Sequence, residues 1–221
     1  MSRAHFEPTF FRFLRELAKN NNRDWFVANK TRFEKDVRDP MLAFIADLKP
    51  NMAKVSKHIV VDPRPVGGSL FRIYRDVRFS SDKSPYKTHM AAHFTHANCE
   101  GSAPGFYVRL EPGDSLAGAA VWRPEPDALG HIRKAMVAAP DEWKRAVKGL
   151  ELDGEVLKRP PKGFDPEHPL IADIRRKDFI SGVTYKDADV CAAGFLDRFV
   201  ADCKTIAPLV RFLSRAMDLA F

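Results

Sequence analysis

Apolar residues return every three to four positions through the first fifty residues, and that period predicts helices. Phe10, Phe13, Leu14 and Leu17 share one face of the first helix, and Asn20-Asn21-Asn22 supplies the turn-forming side chains that stop it. Asp24 is the expected cap of a second helix carrying Trp25, Phe26, Phe33 and Val37 inward. Pro40 bounds a third, with Leu42, Ile45, Leu48 and Met52 on one side.

Beyond residue 58 the period shortens toward two. Ile59-Val60-Val61 is a short β-branched run ended by Asp62-Pro63-Arg64-Pro65, and Leu70 to Tyr74 resumes extended character after Gly67-Gly68. His89 to His96 alternates as a strand with Met90, Ala92 and Phe94 on one face. Phe106 to Leu110, the turn Glu111-Pro112-Gly113-Asp114 and Leu116 to Trp122 read as an antiparallel hairpin. Together these predict a sheet of about four or five strands. Pro124 or Asp127 then opens a helix bearing Leu129, Ile132, Met136 and Val137, and Pro140-Asp141 breaks it before a short helix with Trp143 and Val147. Leu157 to Pro169 is an irregular excursion, and two terminal helices follow from Asp187, jointed at Pro208. The expected fold is α+β: one domain over residues 1–221, with a central antiparallel sheet and N-terminal and C-terminal helices packed mostly on one sheet face.

Composition narrows the setting. A chain of 221 residues that is 45% hydrophobic has enough apolar material for one core, and seventeen Phe against four Tyr and three Trp place much of its aromatic supply inside. The net charge of +7 favours acidic partners, although the excess is spread along the chain. Cys99, Cys191 and Cys203 are odd in number and widely spaced, which suits a reducing compartment and neither a disulfide framework nor a Cys-x-x-Cys metal site. The first eight residues lack an apolar signal core, and no stretch approaches the ~20 apolar residues of a membrane span. A soluble, cytoplasmic protein with no membrane partner is expected.

The chemistry concentrates in one place. Residues 72–88 hold five permanent cations (Arg72, Arg75, Arg78, Lys83 and Lys87), the carboxylates Asp76 and Asp82, the phenols Tyr74 and Tyr86, and several hydroxyls. Five cations against two anions leave donors unpaired, so this segment is the candidate ligand site: Arg72, Arg75 and Arg78 as clamps, Lys83 and Lys87 as point charges, Asp76 as orienter or base, and Asp82, Tyr86 and Ser80 as further polar groups. The cationic neighbours keep Asp76 and Asp82 ionised and weakly basic, which argues against general-base catalysis. A structural ion-pair lattice that pins a long loop onto the sheet is the competing account.

Other groupings are weaker. His89, His93 and His96 would align for zinc only on a helix. On a strand His89 and His93 share a face about 13 Å apart, four steps of ~3.3 Å, and His96 points the other way, so no metal and no cofactor is expected. One of these imidazoles could serve as an acid-base group near the cluster. Lys158, Arg159 and Lys162, among Pro160, Pro161 and Gly163, read as a solvated surface turn.

Two runs carry a family resemblance: Leu14 to Phe26, with its Asn20-Asn21-Asn22-Arg23-Asp24-Trp25 core, and Phe71 to Thr88. With Gly105-Phe106-Tyr107, Trp122-Arg123-Pro124 and Leu157 to Phe164, they resemble the family catalogued as domain of unknown function 2461 over essentially the whole chain. The sequence departs from that pattern at Gly118-Ala119-Ala120, where the family commonly has a Gly-Gly pair. The resemblance implies a soluble protein of a bacterial and fungal family and carries over no catalytic residue. The functional expectation therefore rests on the cluster: a basic pocket for an anionic, phosphate-bearing small molecule or nucleotide. The alternatives are a non-enzymatic nucleic-acid-binding protein that stacks bases on Tyr74, Tyr86 or Tyr107, and a structural interaction module.

Overall fold

Burial of the predicted apolar stripes begins at once in the computed structural model, which describes residues 2–97 and 102–221 and leaves Cys99 outside the described residues. Helix α1 (Pro8–Lys19) buries Phe10, Phe11, Phe13, Leu14 and Leu17. The three asparagines that follow divide their work. Asn20 folds its side-chain amide back onto the Glu16 carbonyl at 2.9 Å, Asn22 caps α2 (Arg23–Ala28) by accepting from the Trp25 amide at 2.9 Å, and Asn21 reaches across the fold to Tyr86. Asn22 thus takes the capping role expected of Asp24, which lies inside the first turn, where its charge suits the helix dipole. Trp25 is only half-buried and packs on Phe13 at 5.5 Å between ring centroids.

Helix α3 (Lys30–Phe33) runs through a π-helical turn (Glu34–Arg38) into α4 (Asp39–Met52), with Pro40 in the first turn of α4. Helix α4 buries Met41, Phe44, Ile45, Leu48 and Met52, and Leu42 is left half-buried beside that face.

Four strands form one antiparallel sheet in sequence order: β1 (Met90–Thr95), β2 (Gly105–Leu110), β3 (Ser115–Val121) and β4 (Phe179–Tyr185). The inner face presents Met90, Ala92 and Phe94, then Phe106, Val108 and Leu110, then Ala117, Ala119 and Val121 to the core. The expected strands at 59–61 and 70–74 shrink to single bridges, Ile59 with His96, Leu70 with Ala92 and Tyr74 with Tyr86. Pro63, Pro65 and the Gly67-Gly68 pair interrupt any longer ladder there. On the far side of the sheet, Asp153 bridges to Ile180 of β4.

Helices α5 (Pro126–Ala138) and α6 (Pro140–Ala146) bury Ile132, Met136 and Trp143. Val137, expected inward, is 41% exposed; Arg133 occupies the buried position instead, its guanidinium satisfied by the Ile174 and Arg176 carbonyls at 2.8 and 3.0 Å. The short α7 (Ile171–Ile174) precedes β4, and α8 (Asp187–Cys191) follows it.

The expected joint at Pro208 is absent, because α9 (Phe195–Ala216) runs straight through it. The chain turns earlier, at Gly194, whose φ of +86° only glycine adopts without strain. Pro208 faces solvent, as does Lys204, whose carbonyl loses its helical donor, while Ile206, Ala207, Leu209 and Val210 stay buried on the other side. Burial of that stripe outweighs the ~3 kcal/mol that an interior proline costs a helix. Pro208→Ala is therefore expected to raise the unfolding free energy by about 1–2 kcal/mol in urea titration, part of the gain being offset by a freer unfolded chain. An unchanged midpoint would mean that the helix already deforms at no cost. Among the described residues no helix is long and apolar enough to cross a membrane.

Candidate functional site

The basic segment folds as a small ribbon. The Arg75 amide donates to the Pro85 carbonyl at 2.9 Å and the Lys87 amide to the Ile73 carbonyl at 2.8 Å, so residues 73–75 and 85–87 are its legs and 76–84 its tip. Its anchor is Tyr86, only 4% exposed, whose ring stacks on Phe26 with centroids 4.1 Å apart. Asn21 holds both backbone groups of Tyr86: its side-chain oxygen accepts from the amide at 3.1 Å and its nitrogen donates to the carbonyl at 2.9 Å. The asparagine run and the basic run are thereby one structural unit.

Within the ribbon, three of the five cations are satisfied internally. Arg78 forks onto Asp76, with Nε to Oδ1 at 3.0 Å and the second nitrogen to Oδ2 at 2.7 Å. Arg75 pairs with Asp82, and Lys83 donates its ammonium to the Val77 carbonyl at 3.0 Å. Among the described residues, Arg72 and Lys87 pair with no carboxylate and donate no side-chain hydrogen bond; Lys87 rests its ammonium against the Phe71 ring, 5.4 Å from the centroid. The cations do outnumber their partners, but by two.

A cavity of about 430 Å³ opens between α1 and the ribbon, lined by Ala18, Asn21, Arg75, Asp82, Ser84, Tyr86, Lys87, Thr88 and His89. Of the expected site residues, Arg75, Asp82, Tyr86 and Lys87 meet here. Arg72, Asp76, Arg78 and Lys83 do not line it, and Phe79 at the ribbon tip is 96% exposed beneath the Arg78 guanidinium.

The electrostatics follow from the geometry. The Arg75 guanidinium, then the Ser84 hydroxyl and amide, hold the Asp82 carboxyl well below the usual carboxylate range, and Arg78 does the same to Asp76. Burial lowers the Lys87 pKa, with further help from the Arg72 charge. The sign for Asp82 is plain: a depressed folded value gives stability that is complete above about pH 4 and is lost as pH falls through that value. Asp82→Asn is expected to melt below the wild type at pH 7, and the two melting temperatures should converge in acid. A constant gap at every pH would place its effect elsewhere.

Sequence reasoning missed part of the surroundings. On the outer sheet face, Glu111 accepts from the Thr88 hydroxyl at 3.1 Å and lies 3.9 Å from His89 Nδ1 and 3.5 Å from Arg109 Nε. Beside them His93 and Tyr107 are half-buried; burial lowers the His93 and His89 values and raises that of Tyr107. Alternation through Phe106 to Leu110 already assigns Tyr107 and Arg109 to this face, whereas Glu111 is hidden within the hairpin turn. His96 turns inward, as its strand position requires, and stacks on His58. Among the described residues no three His, Cys, Asp or Glu side chains gather as a metal would need. Lys158, Arg159 and Lys162 are exposed and stand outside the cavity lining.

A second cavity, about 350 Å³ between α6 and α9, holds Arg145, Arg211 and Arg215 with Glu142. Arg215 pairs with Glu142 at 3.0 Å, and Arg211 covers the Phe221 ring at 5.1 Å.

No curated protein matches the chain in sequence. The ribbon with its asparagine clamp, the Gly105-Phe106-Tyr107 strand and most of the helical residues around them fall within residues 9–212, which match the family described as conserved hypothetical protein, domain of unknown function 2461, and to that family this chain belongs.

Proposed function

We propose that the cavity beside the ribbon binds an anionic, phosphate-bearing small molecule or nucleotide. Lys87 carries this reading: an ammonium half-buried in the cavity wall with no carboxylate partner, its charge disfavoured by burial and by Arg72. Buried charges are ordinarily paired, and a phosphate would supply the missing partner. Ser84, Thr88 and the neutral His89 add polar groups around the same space. Arg75 lies in the wall already joined to Asp82, so it contributes shape and a share of its five donors. With Asp82 held ionised by its own ion pair, the cavity wall offers a binder's chemistry more than a general base.

The test is a thermal-shift series with inorganic phosphate, sugar phosphates and nucleotides, where a ligand at a hundred times its Kd stabilises by about 2.7 kcal/mol. Affinity should fall as pH rises past the lowered Lys87 value, and so earlier than for an ordinary lysine. No shift with any of these probes removes the reading.

One observation favours nucleic acid as a second reading: Arg72, Tyr74, Arg78 and Phe79 are all exposed along the ribbon. Salt separates the two. Contacts to six or more phosphates cost roughly 10³–10⁵ in affinity between 50 and 200 mM salt, whereas a pocket whose one cation without a carboxylate is Lys87 loses far less. If Arg78→Ala only lowers the melting temperature and no probe binds, a structural interaction module remains.

A further inference from the structure

We infer that the outer sheet face next to Lys87 receives a flat heterocycle, so that the ligand of the proposed anion site is a nucleotide and not a sugar phosphate or free phosphate. The inference rests on the reading of the cavity given above and adds the ligand's second half. Its first support is a triangle of rings. Phe71, His93 and Tyr107 stand with centroids 6.4 Å apart in all three pairings, on the face opposite the core. Phe71 is 42% exposed, an unusual position for a large apolar ring that the inner core could have taken. Neither the Tyr107 hydroxyl nor the His93 ring makes a hydrogen bond among the described residues, so a polar edge is left for a ligand to meet.

The second support is what lies beside the rings. In register, His93 and Tyr107 are followed across the sheet by Gly118 and Gly182, so the row continues as bare backbone for two strands. That bareness is built in: a Cβ on Gly118 would fall 2.3 Å from the Ser181 carbonyl oxygen. A planar ring can settle on such a strip with its edge or face against Tyr107, as aromatic pairs prefer offset or tilted contact.

Lys87 joins the two halves. It lines the anion cavity, and its ammonium lies 5.4 Å from the Phe71 centroid, so the ring cluster adjoins a phosphate held there and is open to its attached base, whereas Tyr86 in the cavity wall is buried against Phe26. Arg72, whose charge is felt by both Lys87 and Asp76, adds positive charge on this side that suits a phosphate ester.

Isothermal titration of inorganic phosphate, ribose 5-phosphate and adenosine 5′-monophosphate into wild type, Phe71→Ala and Tyr107→Leu decides the matter. The expected result is that the wild type prefers the nucleotide over ribose 5-phosphate by roughly 5- to 100-fold, the range of one stacked base. Tyr107→Leu should bring the nucleotide down toward ribose 5-phosphate and leave the latter within twofold of its wild-type affinity; Phe71→Ala, which also frees the Lys87 ammonium, is read from the ratio of the two affinities, which should fall toward one. Circular dichroism melts accompany each variant, and the partial exposure of Phe71 makes its truncation the milder of the two. Equal affinity for nucleotide and ribose phosphate, or an equal loss for all three probes in the variants, overturns the inference and leaves the anion cavity standing. If none of the probes binds, the cavity reading fails and takes the inference with it. Tightening with the length of a single-stranded oligonucleotide, with a steep salt slope, overturns it in favour of nucleic acid.

Discussion

Lys87→Met should weaken phosphate binding by roughly 10- to 100-fold, the equivalent of one charged hydrogen bond at about 1.5–3 kcal/mol. Methionine keeps the apolar stem that covers Phe71 and removes only the charge, so packing is disturbed little. The unliganded protein should hold its melting temperature or gain slightly, because the lost group is a half-buried cation without a carboxylate. Lys87→Arg retains the charge and should keep most of the affinity. The two readouts moving in opposite directions is the signature of a ligand site; a fall in stability with unchanged phosphate affinity would assign Lys87 to the scaffold and empty the cavity of function.

Asn21→Ala has the larger structural consequence. It leaves the Tyr86 amide and carbonyl without partners in a partly buried position, each costing about 1–3 kcal/mol, and a total of about 2–4 kcal/mol is expected from chemical denaturation. Asn21→Asp should recover roughly half, since a carboxylate accepts from the amide but cannot donate to the carbonyl. The loss should reach the cavity as well, because Tyr86 sets the position of Lys87 and Thr88 in its wall. Hydrogen exchange at residues 84–88 would register the loosening. Protection unchanged from wild type there would mean that the Phe26 stack alone suffices.

The sheet and first helices were legible because their apolar periods are strict: Met90, Ala92 and Phe94 alternate, and the hairpin turn carries Pro112 and Gly113. Strand β4 received no assignment, since Gly182 interrupts its apolar alternation and the segment becomes strand by pairing with β3. Pro208 misled for the opposite reason, its local penalty being overridden by the buried stripe around it. The dense run at 72–88 supplies much of the lining of the cavity beside α1, yet the pairing inside it could not be read. Asp76 is two residues from Arg78 and Asp82 seven from Arg75, and only the ribbon's turn decides which cation each carboxylate takes. The clamp from Asn21 spans 65 positions and has no local signature.

The bridges on both sides of the sheet have a consequence for association. Residues 59–71 lie along the outer edge of β1 and answer its amides and carbonyls, whereas at β4 Asp153 covers only Ile180 and the exposed residues 182–184 keep their outer border toward solvent. Strand addition, a hazard of any open sheet, is closed off at β1 by a segment too broken by proline and glycine to recruit further copies itself. An extended chain that adds to this sheet must therefore do so at β4.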